Sequence, residues 1–142
     1  MELEKHLDVS NFPALTHLMC SNNQITSLDL GENDTLGKIF LDDNKITANL
    51  DVFSHLTRLY EIKLGGNDFV GSLKCFENCK WLYHLSTTNN TKITEGLEYL
   101  PNKLERIQCE GTIFHNILEP YDFDILAWKL VTVLSRNTRH GR

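Results

Sequence analysis

The sequence predicts an α/β solenoid, short, right-handed and shallowly curved. Its concave face would be a parallel β-sheet, its convex face irregular or short helical turns, and a C-terminal helix would follow. Three observations predict it. A spaced apolar pattern recurs five times between Leu15 and Phe114, with starting leucines 21, 23, 23 and 22 residues apart, and self-similarity at such a period marks stacked repeats. Each copy contains a stretch in which apolar and polar residues alternate, as in a half-buried strand. An asparagine, or once a threonine, follows that stretch at a fixed place.

Leu15, Leu18, Cys20, Asn23 and Ile25 form the first set, and Leu36, Ile39, Leu41, Asn44 and Ile46 the second. Leu59, Ile62, Leu64, Asn67 and Phe69 form the third. Leu82, Leu85, Thr87 and Asn90 begin a fourth, whose last apolar position slips by one residue to Ile93. Leu104, Ile107, Cys109, Thr112 and Phe114 complete the fifth. Alternate strand side chains point inward. The asparagine sits where the chain leaves the strand, and its amide can bond backbone groups that drop out of the ladder. Stacking is expected to gather Asn23, Asn44, Asn67 and Asn90 into one buried column, with Thr112 closing it. The outer intervals supply Leu28 and Leu30, then Leu50, Val52, Phe53 and Leu56, then Leu73 and Phe76, then Leu97 and Leu100, where Pro101 stops any helix.

The units span residues 15–118. Residues 1–14 read equally well as a partial N-terminal repeat, with Leu7, Val9 and Phe12 at its apolar positions, or as an irregular cap. On the first alternative upstream repeats are lacking, and the uncapped N-terminal edge would allow self-association. Residues 119–142 are expected to form a capping helix and a polar tail. Pro120 opens it, Asp122 or Asp124 caps it, and Ile125, Trp128, Leu130, Val131 and Leu134 are spaced as on one helix. A membrane or partner helix is the less favoured reading of that segment.

The pattern resembles the leucine-rich repeat, L-x-x-L-x-L-x-x-N-x-L. The stretches "LMCSNNQITSLDL", "GLEYLPNKLERIQC" and "LEPYDFDILAWKL" are also similar to the large sets of intracellular leucine-rich-repeat proteins of arbuscular mycorrhizal fungi, some of them joined to protein kinases. The resemblance implies a binding or scaffold role. It leaves open a docking or regulatory segment of a larger protein, or a fragment without independent function. This chain itself has neither a glycine-rich phosphate loop nor an H-R-D catalytic loop.

With 142 residues, 41% hydrophobic and 23% charged, the chain has the composition of a globular domain. A net charge of -5 argues against nucleic-acid binding. With no signal-peptide run and no apolar stretch of spanning length, the expectation is a cytoplasmic chain without a membrane partner, its four cysteines reduced.

No catalytic set and no cofactor motif appears, and no metal is expected. Cys20 and Cys109 occupy inward strand positions four strand spacings apart, too far for a disulfide. Cys75 and Cys79 share a spacing that zinc could use but lack a second ligand pair. The oxygens of "LDDN" at 41–44 are too few for calcium. Sequons at Asn33 and Asn89 are discounted.

Function is expected in the outward side chains of the sheet, which would bind a protein or peptide. The middle positions are Met19, Phe40, Lys63, Ser86 and Gln108. Their flanks are His17 and Ser21, Lys38 and Asp42, Glu61 and Gly65, His84 and Thr88, then Arg106 and Glu110. Met19 and Phe40 should form an exposed apolar pair, the kind of anchor that dominates an interface. Five strands give a footprint of roughly 19 by 13 Å. That is on the order of 250 Å², against about 800 Å² per partner in a standard interface, so a short peptide fits better than a large surface.

Overall fold

The structure is a computed structural model that describes residues 5–140, with side chains described through Arg136. It is an α/β fold built on parallel strands. Among the described residues nine short strands follow one another: β1 (Lys5–Asp8), β2 (His17–Met19), β3 (Ile25–Asp29), β4 (Lys38–Phe40), β5 (Glu61–Lys63), β6 (Gly71–Ser72), β7 (His84–Ser86), β8 (Ile93–Glu95) and β9 (Arg106–Gln108). Helices α1 (Ile113–Leu118) and α2 (Ile125–His140) come after them.

The main sheet has the order β2-β4-β5-β7-β9, every pair parallel. Its register never shifts. Leu18, Ile39, Ile62, Leu85 and Ile107 lie side by side on the inner row. A parallel pair needs a crossover between its strands, and here each crossover passes through a second layer. That layer contains the β1–β3 and β6–β8 pairs, with an isolated bridge between Asn49 and Val70. Short 3₁₀ turns at Leu50–Phe53, Leu73–Phe76 and Leu97–Tyr99 then lead back. The first two are capped by side chains: Asn49 accepts from the Asp51 N–H and Ser72 from the Lys74 N–H. Between the layers lies one apolar core. Phe53, Phe69 and Phe76 are fully buried in it, their ring centroids 5.6 and 6.4 Å from Phe53.

Each strand exits through a residue in the left-handed region. Asn22, Asp43, Gly66, Asn89 and Gly111 have φ of 60, 56, 69, 64 and 77°, a conformation that suits Asn, Asp and Gly above other residues. The ladder residue comes next. Asn44 Nδ2 donates to Leu41 O and to Cys20 O in the preceding unit, and its Oδ1 accepts from the Ile25 N–H. Asn67 repeats this with Leu64 O, Leu41 O and the Ile46 N–H, and Asn90 with Thr87 O, Leu64 O and the Phe69 N–H.

The ends of the column differ from expectation. Asn23 is exposed and, among the described residues, donates to Cys20 O and Ser21 O within its own unit. Thr112 is buried, but its shorter hydroxyl reaches only Cys109 O, at 2.6 Å. A further asparagine, Asn33, is buried and ties the Thr35 and Leu36 N–H groups to Phe12 O and Leu15 O.

The expected C-terminal helix forms with Asp124 at its start, but Pro120 opens a separate 3₁₀ turn, Glu119–Tyr121, and the cover of the last unit differs. The last unit is covered by Phe114 and Leu118 of α1, with Phe123 and Ile125 packed beside them. Asp122 and Phe123 both have positive φ, 53 and 60°. They redirect the chain before α2 begins, where Asp124 Oδ1 accepts from the Ala127 N–H. Among the described residues, α2 packs on the core through Ile125 and Trp128, Lys129 Nζ donates to Leu100 O, and Val131, Thr132, Ser135 and Arg136 share a hollow with Tyr121.

Removing the amide in Asn44→Ala should cost about 1–3 kcal/mol, because it strands backbone groups in the core. The exposed Asn23→Ala should cost far less, and equal melting temperatures for the two variants would contradict the ladder. Thr87 Oγ1 is fully buried without a hydrogen-bond partner among the described residues. Replacing the hydroxyl in Thr87→Val should raise the denaturation midpoint, with a gain of about 1–2 kcal/mol; a lowered midpoint would show that the hydroxyl is satisfied.

Candidate functional site

The unshifted register sorts the outward side chains of the main sheet into rows. His17, Lys38, Glu61, His84 and Arg106 form one, and Met19, Phe40, Lys63, Ser86 and Gln108 the next. Past the strands, backbone bonds from Asn22 N to Asp42 O, Asp43 N to Gly65 O, Gly66 N to Thr88 O and Asn89 N to Glu110 O keep the units aligned. Ser21, Asp42, Gly65, Thr88 and Glu110 therefore form a third row.

The first row is a bonded network more than a free surface. His84 Nδ1 lies 2.8 Å from Glu61 Oε2, and its Nε2 lies 3.1 Å from Gln108 Oε1. Lys38 Nζ lies 3.4 Å from Glu61 Oε1. His84 was expected to project into solvent, but it is 2% exposed, flanked by Glu61, Gln108 and the Tyr83 ring. Glu61 and Ser86 are likewise buried, Ser86 because its short side chain sits below taller neighbours. Burial, the largest influence on Glu61, pushes its carboxyl up. The bond and charge of His84, with Lys38, outweigh it and hold the group below its ordinary value of 4.5.

An aromatic rim that the repeat pattern did not reveal borders this row. Tyr60 and Tyr83, each one residue before a strand, stack with centroids 6.2 Å apart. Tyr60 leans across Gly37, where a Cβ would meet Tyr60 Cε1 at 2.6 Å, and its hydroxyl lies 3.0 Å from His17 Nε2. The glycine lets a ring from β5's approach reach a histidine on β2. Tyr at two successive units and Gly at the neighbouring position were the available signal.

Met19 and Phe40 are neighbours as expected, but they are not an equal exposed pair. Met19 is 61% exposed. Phe40 is half-buried because Lys63 Nζ and Lys38 Nζ lie 4.5 and 5.4 Å from its ring centroid, a cation–π arrangement. Beside them, the missing side chain of Gly65 opens a shallow polar hollow of about 310 Å³ lined by Ser21, Asp42, Ser86, Thr88 and Gln108 among others. Asp42 Oδ1 there accepts from the Gly65 N–H. Arg106 and Glu110 stand exposed at the far edge.

The thiols lie elsewhere. Cys75, Cys79 and Cys109 are buried and Cys20 is half-buried. Burial pushes Cys79 and Cys109 up to about 11, and Cys75 upward too, so the thiols stay protonated at neutral pH. One group unforeseen in the sequence is brought together by the β1–β3 pair: His6, Asp8 and Asp29, with side-chain ligand atoms within 4.8 Å of one another. All three are exposed and already bonded, His6 to Ser27, Asp8 to Ser10 and Asp29 to the Gly31 N–H. No protein-family model matches the chain, and no curated protein matches it.

The depressed Glu61 carboxyl gives a signed pH dependence. Its contribution to stability is present above 4.5 and lost as pH falls through the lower folded value. Melting temperatures measured from pH 6 down to 3 should therefore fall less steeply for Glu61→Gln than for the wild type. Parallel curves would remove Glu61 from the acid response.

Proposed function

We propose that this chain is a leucine-rich-repeat solenoid acting as a non-catalytic module that binds a protein or peptide on the outward, concave face of its five-stranded sheet. The observation that carries the proposal is the unshifted parallel stacking of strands recurring every 21–23 residues, each followed by an asparagine or threonine at the same place. Such stacking turns single positions of the sequence into rows of side chains across a surface.

The chemistry of those rows favours an extended peptide. Met19 is an exposed apolar contact, the lysines over Phe40 and the exposed Arg106 supply cations, and Asp42 and Glu110 supply anions. A short face of mixed sign suits a few alternating side chains better than a broad partner. The network of buried Glu61 and His84 with half-buried Gln108 stiffens the floor, so that less order is lost on binding.

Selection of a displayed random-peptide library on the immobilised full chain tests this. Peptides enriched on the wild type should bind Met19→Glu and Arg106→Glu about tenfold more weakly. They should bind a control, Leu130→Glu on α2, unchanged. Enriched peptides indifferent to both sheet substitutions would overturn the proposal.

A further inference from the structure

Helix α2 presents a face that none of the described residues covers. Leu126, Leu130, Val133 and Leu134 recur at i, i+4, i+7 and i+8, the spacing of one helix side. They are 57, 60, 51 and 56% exposed, and Val131, at 41%, widens the arc. The body touches the helix from another direction, through Ile125, Trp128 and Lys129. Contiguous apolar surface of this kind marks a site of association in a folded protein.

Charge selects the partner. Residues 125–142 contain four of the chain's fourteen Lys and Arg and none of its nineteen Asp and Glu. The segment is therefore +4 while the remainder is −9. We propose that α2 is an amphipathic anchor that lies along an anionic membrane surface. Leu126, Leu130, Val133 and Leu134 enter the acyl boundary, and the exposed Arg136, which flanks that stripe, stays among the phosphate headgroups.

Two alternatives fit less well. No helix among the described residues is long and apolar enough to cross a membrane, so α2 lies on the surface. Pairing with the α2 of a second copy would set two cationic segments without an acid side by side. Among the described residues, the body of a second copy offers exposed Phe12, Met19, Trp81, Tyr83 and Tyr99 and, on α1, the pair Ile113 and Ile117, a shorter strip than the four residues of α2. The acidic body is repelled by the same lipid that holds α2, which makes the attachment weak and sensitive to salt.

The full chain would be co-sedimented with vesicles of phosphatidylcholine alone and with an equimolar phosphatidylcholine–phosphatidylserine mixture. The expected result is partitioning about tenfold stronger into the anionic vesicles, declining as sodium chloride rises. Leu130→Glu, Leu134→Ser and Arg136→Glu, each at an exposed position, should reduce it severalfold without changing the melting temperature. Equal recovery with both vesicles, or none with either, would overturn the proposal. So would a lipid-free dimer dissolved by Leu130→Glu, because the face would then belong to a second copy. Peptide binding on the sheet is read from Met19 and Arg106, so the two proposals fail separately.

Discussion

A single carboxamide per unit holds neighbouring units in line. Asn44, Asn67 and Asn90 each bond a carbonyl of their own strand, a carbonyl of the preceding strand's exit and an N–H of the preceding unit. Short strands of three residues have few ladder bonds of their own. The amides supply the remainder and satisfy backbone groups that would otherwise be buried unpaired. The unshifted register of the sheet follows, and with it every row of side chains on the outward face.

The inner rows were legible in the sequence because burial selects residue type strongly. Leu18, Ile39, Ile62, Leu85 and Ile107 could be aligned without coordinates, as could the asparagines. The left-handed residues Asn22, Asp43, Gly66, Asn89 and Gly111 were equally visible in type, although their shared conformation emerges only with the backbone. The two irregularities of the pattern also belong together. The slip to Ile93 lets its N–H bond Asn90 O inside the same unit, and the next ladder position is the threonine that reaches only its own strand.

The outward face was legible in position but not in state. Strand alternation places His84, Glu61 and Ser86 outward, yet exposure depends on the heights of their neighbours. Tyr60 and Tyr83 lie outside the strands, where no pattern ties them to His17. Helix α2 illustrates the same limit. The spacing of its apolar positions suits a cap, whereas the left-handed pair Asp122 and Phe123 sets the direction in which that stripe points.

Constant register has an evolutionary consequence. The units of Asn44, Asn67 and Asn90 meet the preceding unit through equivalent carbonyls and amides, so a segment such as 38–60 is exchangeable as a block. Its loss would bring Glu61 opposite His17, Ile62 opposite Leu18 and Lys63 opposite Met19, with the backbone pairing intact. Duplication would lengthen the array by the same rule. Unequal recombination between such segments changes the surface while preserving the frame that carries it, so new combinations of outward side chains arise without a new fold having to be found.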